Sequence, residues 1–412
     1  MVVRKENIST SWDFRGANTK MHTHCFHSYP AMMIPQVAGR LIDEYGKNAK
    51  LLFDPYCGTG TSLVEANLRG INAIGTDLNP LARLISKAKT TPLPLDKIDT
   101  YIEQFRTYIV NPEPVEIPKF KNIDYWFSKE VKRKLAIVKS FITKISGENI
   151  ANFFKVAFSE TVRESSWTRN GEFKLFRMPE KKMVQFNPDV FAMMNNKLYR
   201  NRRGLESFMK DKKRDDAWSK IYDFNTVDEI PEDVFRDQLP DIIVTSPPYG
   251  DSHTTVAYGQ FSRLSSQWLG FKNANKVDRI LMGGRPKNKE IMFEYDELNK
   301  IIKEIKTKDP KRAKEVVSFY DDYRKSIKHV AKIIKKGGYA CYVVGNRRAK
   351  GITLPTDAIT RKFFEINGFE HIKTIVRNIP NKKMPSKNSP TNIVGKLDTT
   401  MNNEYIVIMK KA

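Results

Sequence analysis

The sequence predicts an α/β protein: a doubly wound, mostly parallel seven-stranded sheet with helices on both faces and a helical, basic insertion. Three observations carry this. Short apolar runs that end in glycine or polar turns alternate with stretches of helical spacing, the pattern of βα units. A glycine turn and a strand-end carboxylate stand at nucleotide-site spacing near the start. The rhythm breaks off near residue 95 and resumes at Asp241, with a basic, helix-patterned stretch between.

The elements follow in order. Residues 1–35 are irregular and rich in His, Met and Pro. RLIDEYG, Arg40 to Gly46, reads as a helix closed by glycine. Leu51–Phe53 is a short buried strand, Gly58 and Gly60 make a tight turn, and Thr61–Arg69 has helical spacing up to Gly70. INAIGTD, ending at Asp77, is a second strand. Asn79-Pro80 opens a second helix with proline in its first turn. KAKTTPL, Lys87 to Leu93, is expected as the third strand. Further on, Lys129–Ile145 and Ile150–Val162 read as helices, followed by a loop-rich basic stretch. After the strand at Asp241 come helices over Phe261–Leu269 and Glu315–Ile334. Gly337–Asn346 is a buried strand entered through a Gly-Gly turn, and Thr356–Asn367 is a helix ended by Gly368. HIKTIVRNI and NNEYIVIMKK finish the sheet. The expected organisation is residues 1–95 and 238–412 as two parts of one catalytic domain, with 96–237 as the insertion.

Composition narrows the partner. The 412 residues hold 71 Lys and Arg against 47 Asp and Glu, a formal net charge of +24, with 40% hydrophobic content. A folded chain this basic points to a polyanion, most simply nucleic acid. From Lys119 to Lys220 there are 24 Lys and Arg against 12 Asp and Glu, so a quarter of the chain holds half of the net charge. Aromatic residues are interleaved there, as suits a surface lying along a phosphate backbone. No apolar run approaches membrane-span length, and no secretory h-region opens the chain. Three dispersed cysteines, Cys25, Cys57 and Cys341, make no disulfide framework. A reduced, cytoplasmic, monomeric protein is expected.

Two motifs carry chemistry. DPYCGTGTS lies between strand and helix, where glycines let a ligand approach the backbone and a helix N-terminus faces it. It lacks the lysine of a P-loop and the third glycine of a dinucleotide fingerprint. Asp77 stands 17 residues after Gly60, at the end of the next strand, where a carboxylate reaches ribose hydroxyls. A ligand with a ribose and no required pyrophosphate is implied. S-adenosylmethionine fits, with Asp54 suited to its amino group. The second motif is Thr245-Ser246-Pro247-Pro248-Tyr249, at the end of the strand beside that crevice. Two prolines deny the chain its usual pairing and leave free carbonyl acceptors. The Ser246 hydroxyl and the Pro247 carbonyl are placed to accept from an exocyclic amine of a nucleobase and to localise its lone pair. The Tyr249 ring offers a stacking face for a base taken out of the helix; Tyr249→Phe, which keeps the ring, is expected to be mild.

With these motifs the sequence resembles the DNA amino-methyltransferases of restriction–modification systems. DPYCGTGT matches their cofactor loop, GTDLNP their ribose carboxylate and TSPPY their catalytic loop. CFHSYPAMMIP resembles the segment that closes over the methionine part of the cofactor. The resemblance covers residues 20–95 and 238–412 well and the middle poorly. It implies cofactor contacts from His27, Tyr29 and Pro30, from Asp54, Tyr56, Gly58, Gly60 and Thr61, and from Asp77 and Leu78. It implies catalysis at Ser246, Pro247, Pro248 and Tyr249, target recognition in the insertion, double-stranded DNA as substrate, and a cognate restriction endonuclease as a possible partner. Serine before the two prolines is the form usual in cytosine-N4 enzymes. Adenine-N6 methylation, tRNA guanine-N2 methylation and a DNA-binding protein on an inactive scaffold stay open as rivals.

The remaining candidates are basic or metal-like. Lys181, Lys182, Arg202 and Arg203 in the insertion, and Arg347, Arg348, Lys382 and Lys383 on loops after strands, are expected at the DNA backbone. HTHCFH, His22 to His27, has metal-like composition, but its groups crowd into six residues with no second cluster to close a tetrahedron, so no metal is expected. Cys57 lacks the Pro-Cys context of a C5-methylating nucleophile. In AYGQFSRLSSQWLG, Tyr258, Phe261, Leu264 and Trp268 are expected to pack in the core.

Overall fold

A computed structural model describes residues 9–169, 171–251, 255–287, 290–379, 387–388, 398–399 and 403–412. Lys382 and Lys383 lie outside them. Seven strands form one sheet: β1 (Leu51–Asp54), β2 (Asn72–Thr76), β3 (Ser219–Tyr222), β4 (Ile242–Thr245), β5 (Tyr339–Val344), β6 (Phe369–Asn378) and β7 (Asn403–Lys411), in the order β3-β2-β1-β4-β5-β7-β6. The first five are mutually parallel, with Leu51 opposite Asn72 and Leu52 opposite Ile242. β7 runs antiparallel to both β5 and β6. The strand order reverses at β1, between β2 and β4, which opens a crevice at the carboxyl ends of these strands.

Alternation along the strands sends side chains to opposite faces. On one face Leu52, Ile242, Val244, Cys341 and Ile406 pack under α1 (Pro35–Tyr45) and α2 (Thr61–Leu68). On the other, Leu51, Phe53, Ile243, Tyr342 and Val407 meet the helices Asp296–Lys308, Pro310–Ile333 and Thr356–Ile366. A third core lies off the sheet. It joins α3 (Pro80–Thr90) to the helices Leu95–Val110, Lys129–Thr143, Glu148–Ser165, Val190–Asp211 and Tyr258–Trp268, around Phe153, Phe154, Phe158 and Trp268. Side-chain caps start several of these helices: Asn79 accepts from the amide of Leu81, Ser128 from Val131, and Asp189 from Phe191 and Ala192.

Two expectations are corrected. Lys87–Thr90 completes α3 instead of forming a strand. The third strand is Ser219–Tyr222, far along the chain, where it pairs with β2 at the sheet edge. It is short, polar and only partly buried, so it carries no apolar run to betray it. The stretch expected to be loop-rich holds the 22-residue helix Val190–Asp211. The helical layer thus ends near residue 211, and the chain returns to the sheet before residue 237. Among the described residues no helix is long and apolar enough to cross a membrane.

Candidate active site

The crevice at the switch point is a cleft of about 670 Å³, counting its open mouth. Its first wall is the loop after β1. Gly58 and Gly60 take φ of +49° and +80°, in the left-handed region that favours glycine. A Cβ on Gly60 would stand 2.4 Å from the Ser86 hydroxyl, so the loop can lie on α3 only with glycine there. Asp77, after β2, holds this loop in place. One of its carboxylate oxygens accepts from the Gly58 amide at 3.0 Å and the other from the Asn79 amide at 2.8 Å. Each oxygen keeps a further lone pair for a ligand in the cleft. Burial pushes the Asp77 carboxyl above its ordinary range.

Asp54, at the end of β1, is buried in the cleft floor. Its Oδ1 accepts from the Thr245 hydroxyl at 2.5 Å and from the Tyr56 amide at 3.1 Å. Burial raises its carboxyl to about 6. Among the described lining side chains two are carboxylates and none is a Lys, Arg or His. That donor set suits a ligand bearing positive charge and a diol. It does not suit a pyrophosphate, which would meet two carboxylates and no Lys, Arg or His among the described lining residues. Tyr29, Tyr56 and Tyr258 add aromatic walls, and the Tyr29 and Tyr258 rings stack at 6.1 Å. The residues present therefore fit S-adenosylmethionine. Cys57 also lines the cleft, with its thiol held well above the usual range by burial, which makes it no nucleophile.

The third wall is the loop after β4. Ser246 and Pro248 line the cleft. Pro247 and Tyr249 are not among its lining residues, and Tyr249 is half-buried. The tyrosine hydroxyl, to which the sequence assigned no task, has two partners. It accepts from the Ser246 hydroxyl at 3.3 Å and donates to Glu404 at 3.0 Å.

The structure thus brings together Tyr29, Pro30, Asp54, Tyr56, Gly58, Thr61, Asp77, Ser246 and Pro248 at one cleft. It does not bring His27, Gly60 or Leu78 to the lining. His27 is buried against Phe261, its Nδ1 2.6 Å from the Ser28 carbonyl, and burial lowers its imidazole to about 4. The metal-like segment disperses its groups: His22 meets Asp211, and His24 meets Glu65. Sequence reasoning missed Asn79 as a cleft residue, though its place before Pro80 marked it as a cap. Its amide donates to the Tyr29 hydroxyl at 2.7 Å and to Ser262 at 3.1 Å. Tyr258 was expected in the core and lines the cleft, while Phe261, Leu264 and Trp268 from the same segment are buried.

The expected DNA-facing cations divide. Lys181, Lys182, Arg203 and Arg348 are exposed. Arg202 is partly buried and paired with Asp99 and Glu206. Arg347 is only 6% exposed, bound to the buried Asp251 at 3.1 Å and stacked over Phe319 at 4.9 Å. Its charge is compensated inside the protein, and the expectation of a backbone contact is corrected on that ground.

Comparison with known proteins places the chain. The N6/N4 methyltransferase family model, described as "DNA methylase", matches residues 1–87. The Type II methyltransferase M.MvaI of Kocuria varians is 42% identical over 422 aligned residues, covering 96% of this chain and 93% of that protein. The Type II methyltransferase M.BsoBI of Geobacillus stearothermophilus is 21% identical, covering 87% of this chain and 80% of that protein. The Type II methyltransferase M.MjaII of Methanocaldococcus jannaschii is 27% identical across 42% of this chain and 34% of that protein. The chain belongs to the Type II DNA methyltransferase family.

Proposed function

We propose that this protein methylates the N4 amine of a cytosine within a short specific sequence of double-stranded DNA, as the modification half of a restriction–modification system. The observation that carries the reading is Ser246 on the cleft wall, ahead of two prolines and facing the same space as Asp54 and Asp77. S-adenosylmethionine, when bound, supplies an electrophilic methyl group on a sulfonium. Asp77 would orient its ribose, Asp54 its amino group, and Tyr29 and Pro30 would cover its methionine part.

The amine of cytosine is a poor nucleophile because its lone pair is conjugated into the ring. Ser246 and the Pro247 carbonyl would accept its two N–H bonds and localise the lone pair toward the methyl donor. Positioning in a water-poor cleft supplies much of the acceleration. Extruding the base costs a few kcal/mol. The Tyr249 ring and phosphate contacts from Lys181, Lys182 and Arg203 would offset it. The helical layer between residues 95 and 211 is the natural seat of target recognition, since the exposed Lys181, Lys182 and Arg203 lie there and none of its residues lines the cofactor cleft.

Nucleoside analysis and base-resolved sequencing of DNA from cells expressing the protein test this directly. N4-methylcytosine at a short recurring site is the expected product. N6-methyladenine in its place would refute the choice of base, and unmodified DNA would refute the activity.

A further inference from the structure

Behind Ser246 runs a chain of hydrogen bonds with one direction. The Ser246 hydroxyl donates to the Tyr249 oxygen at 3.3 Å, and the Tyr249 hydroxyl donates to Oε1 of Glu404 at 3.0 Å. Glu404 stands near the start of β7, 155 residues beyond Tyr249. Its other carboxylate oxygen is paired with Arg377 of the neighbouring strand β6. Arg377 is buried and donates to the carbonyls of Trp12 at 2.8 Å and Asp13 at 3.3 Å, so the carboxylate is held from behind. Burial, with the carboxylate beside it, keeps the Tyr249 phenol protonated well above its ordinary range. The tyrosine is therefore a conduit for a proton and not a base.

Methylation of an amine needs such a conduit. The nitrogen lone pair forms the new N–C bond while the C–S bond breaks and its electron pair goes to sulfur. The product nitrogen is then cationic and must lose one of its two protons. We propose that Glu404 is the terminal acceptor of that proton, reached from the target amine through Ser246 and Tyr249. The N–H bond breaks and its pair stays on nitrogen. The proton binds to Ser246 Oγ, the serine's own proton passes to Tyr249 Oη, and the tyrosine's passes to Glu404 Oε1. Both hydroxyls end as they began. The sulfonium charge and the carboxylate charge disappear together. Arg377, left facing a neutral acid, favours return of the proton to solvent before the next turnover. The inference rests on the reading of Ser246 as the amine's acceptor.

The full-length protein is tested in single-turnover methylation of a duplex carrying its sequenced site, at saturating S-adenosylmethionine. Glu404→Gln keeps an oxygen to accept from Tyr249, so a purely structural contact would survive it, whereas proton acceptance would not. A loss of about 10²-fold in the transfer rate is expected, the usual share of general base catalysis. Calorimetric cofactor affinity and base extrusion, followed with 2-aminopurine beside the target, should match wild type. Tyr249→Phe breaks the relay while leaving the Glu404–Arg377 pair intact, and serves alone if Glu404→Gln does not fold. It should lose a similar factor, with no further loss in the double variant. Either single variant transferring at the wild-type rate, or losses that multiply in the double variant, would overturn the relay. In those cases Ser246→Ala tells the readings apart: if it is slow, the amine acceptor stands and only the relay falls.

Discussion

Asp54→Asn should make the unliganded protein more stable and the enzyme worse. In the folded protein burial raises this carboxyl from its ordinary 3.8 to about 6. A group raised in this way contributes stability that is complete below 3.8 and is lost as pH rises through about 6. Above that, the charged carboxylate costs the fold about two logarithmic steps of proton affinity, or about 3 kcal/mol at 1.36 kcal/mol per step. Asparagine removes the charge and keeps the local bonding. The Thr245 hydroxyl and the Tyr56 amide both donate to Oδ1, which an amide oxygen can replace. Urea unfolding of the unliganded protein at pH 4 and pH 7.5 measures the effect. The variant should gain up to about 3 kcal/mol at the higher pH and little at the lower. Affinity for S-adenosylmethionine, by calorimetry, should fall by about 10- to 100-fold, as expected for a lost charged hydrogen bond. Wild-type affinity should rise with pH through about 6, and this rise should be absent from the variant. A stability gain equal at both pH values, or none at pH 7.5, would refute the argument from burial. Unchanged affinity would refute the assignment of Asp54 to the amino group.

Other predictions follow from the same geometry. Asp77→Ala removes a ligand acceptor and the acceptor of the Gly58 and Asn79 amides, so cofactor affinity should fall by at least the roughly 1.5–3 kcal/mol of one charged hydrogen bond; calorimetric binding equal to wild type would remove the ribose assignment. Ser246→Ala should bind cofactor and DNA nearly as wild type and methylate slowly, because its contact strengthens in the transition state; a wild-type single-turnover rate would exclude it as the amine's acceptor. Neutralising the exposed Lys181, Lys182 and Arg203 together should weaken DNA binding and lower its salt dependence by up to about 0.9 in log–log slope per lost phosphate contact. Arg202→Gln should leave that slope unchanged, since Asp99 and Glu206 already hold its charge; salt titrations of DNA binding check both statements.

Local patterns told much of the fold because they rest on local physics. Leu51–Phe53, Ile242–Val244 and Tyr339–Val344 are buried on both faces of a parallel sheet, so they show as plain apolar runs. Helix ends at Asn79-Pro80, Gly46 and Gly368 could be read from capping chemistry. The third strand could not. SKIY pairs with β2 across more than 140 residues of chain, and an edge strand needs no apolar signature. The helix Val190–Asp211 was hidden by its charge, because only one of its faces meets the third core.

By itself, the sequence determined the chemical vocabulary of the site: a glycine turn after one strand, a carboxylate after the next, and a hydroxyl before two stiff prolines after a third. Each is a short segment whose backbone conformation follows from its own residues. Only the tertiary structure decided which side chains meet. It turned His27 away from the cleft and buried Arg347 against Asp251. It brought Tyr258 and Asn79 to the cleft wall. It also set Glu404, on the last strand, behind the Tyr249 hydroxyl. Charge and residue type are written along the chain. Whether a cation faces solvent or a carboxylate depends on contacts across about a hundred residues, as between Arg347 and Asp251 or Arg202 and Asp99, which sheet order and helix packing create and no local pattern records.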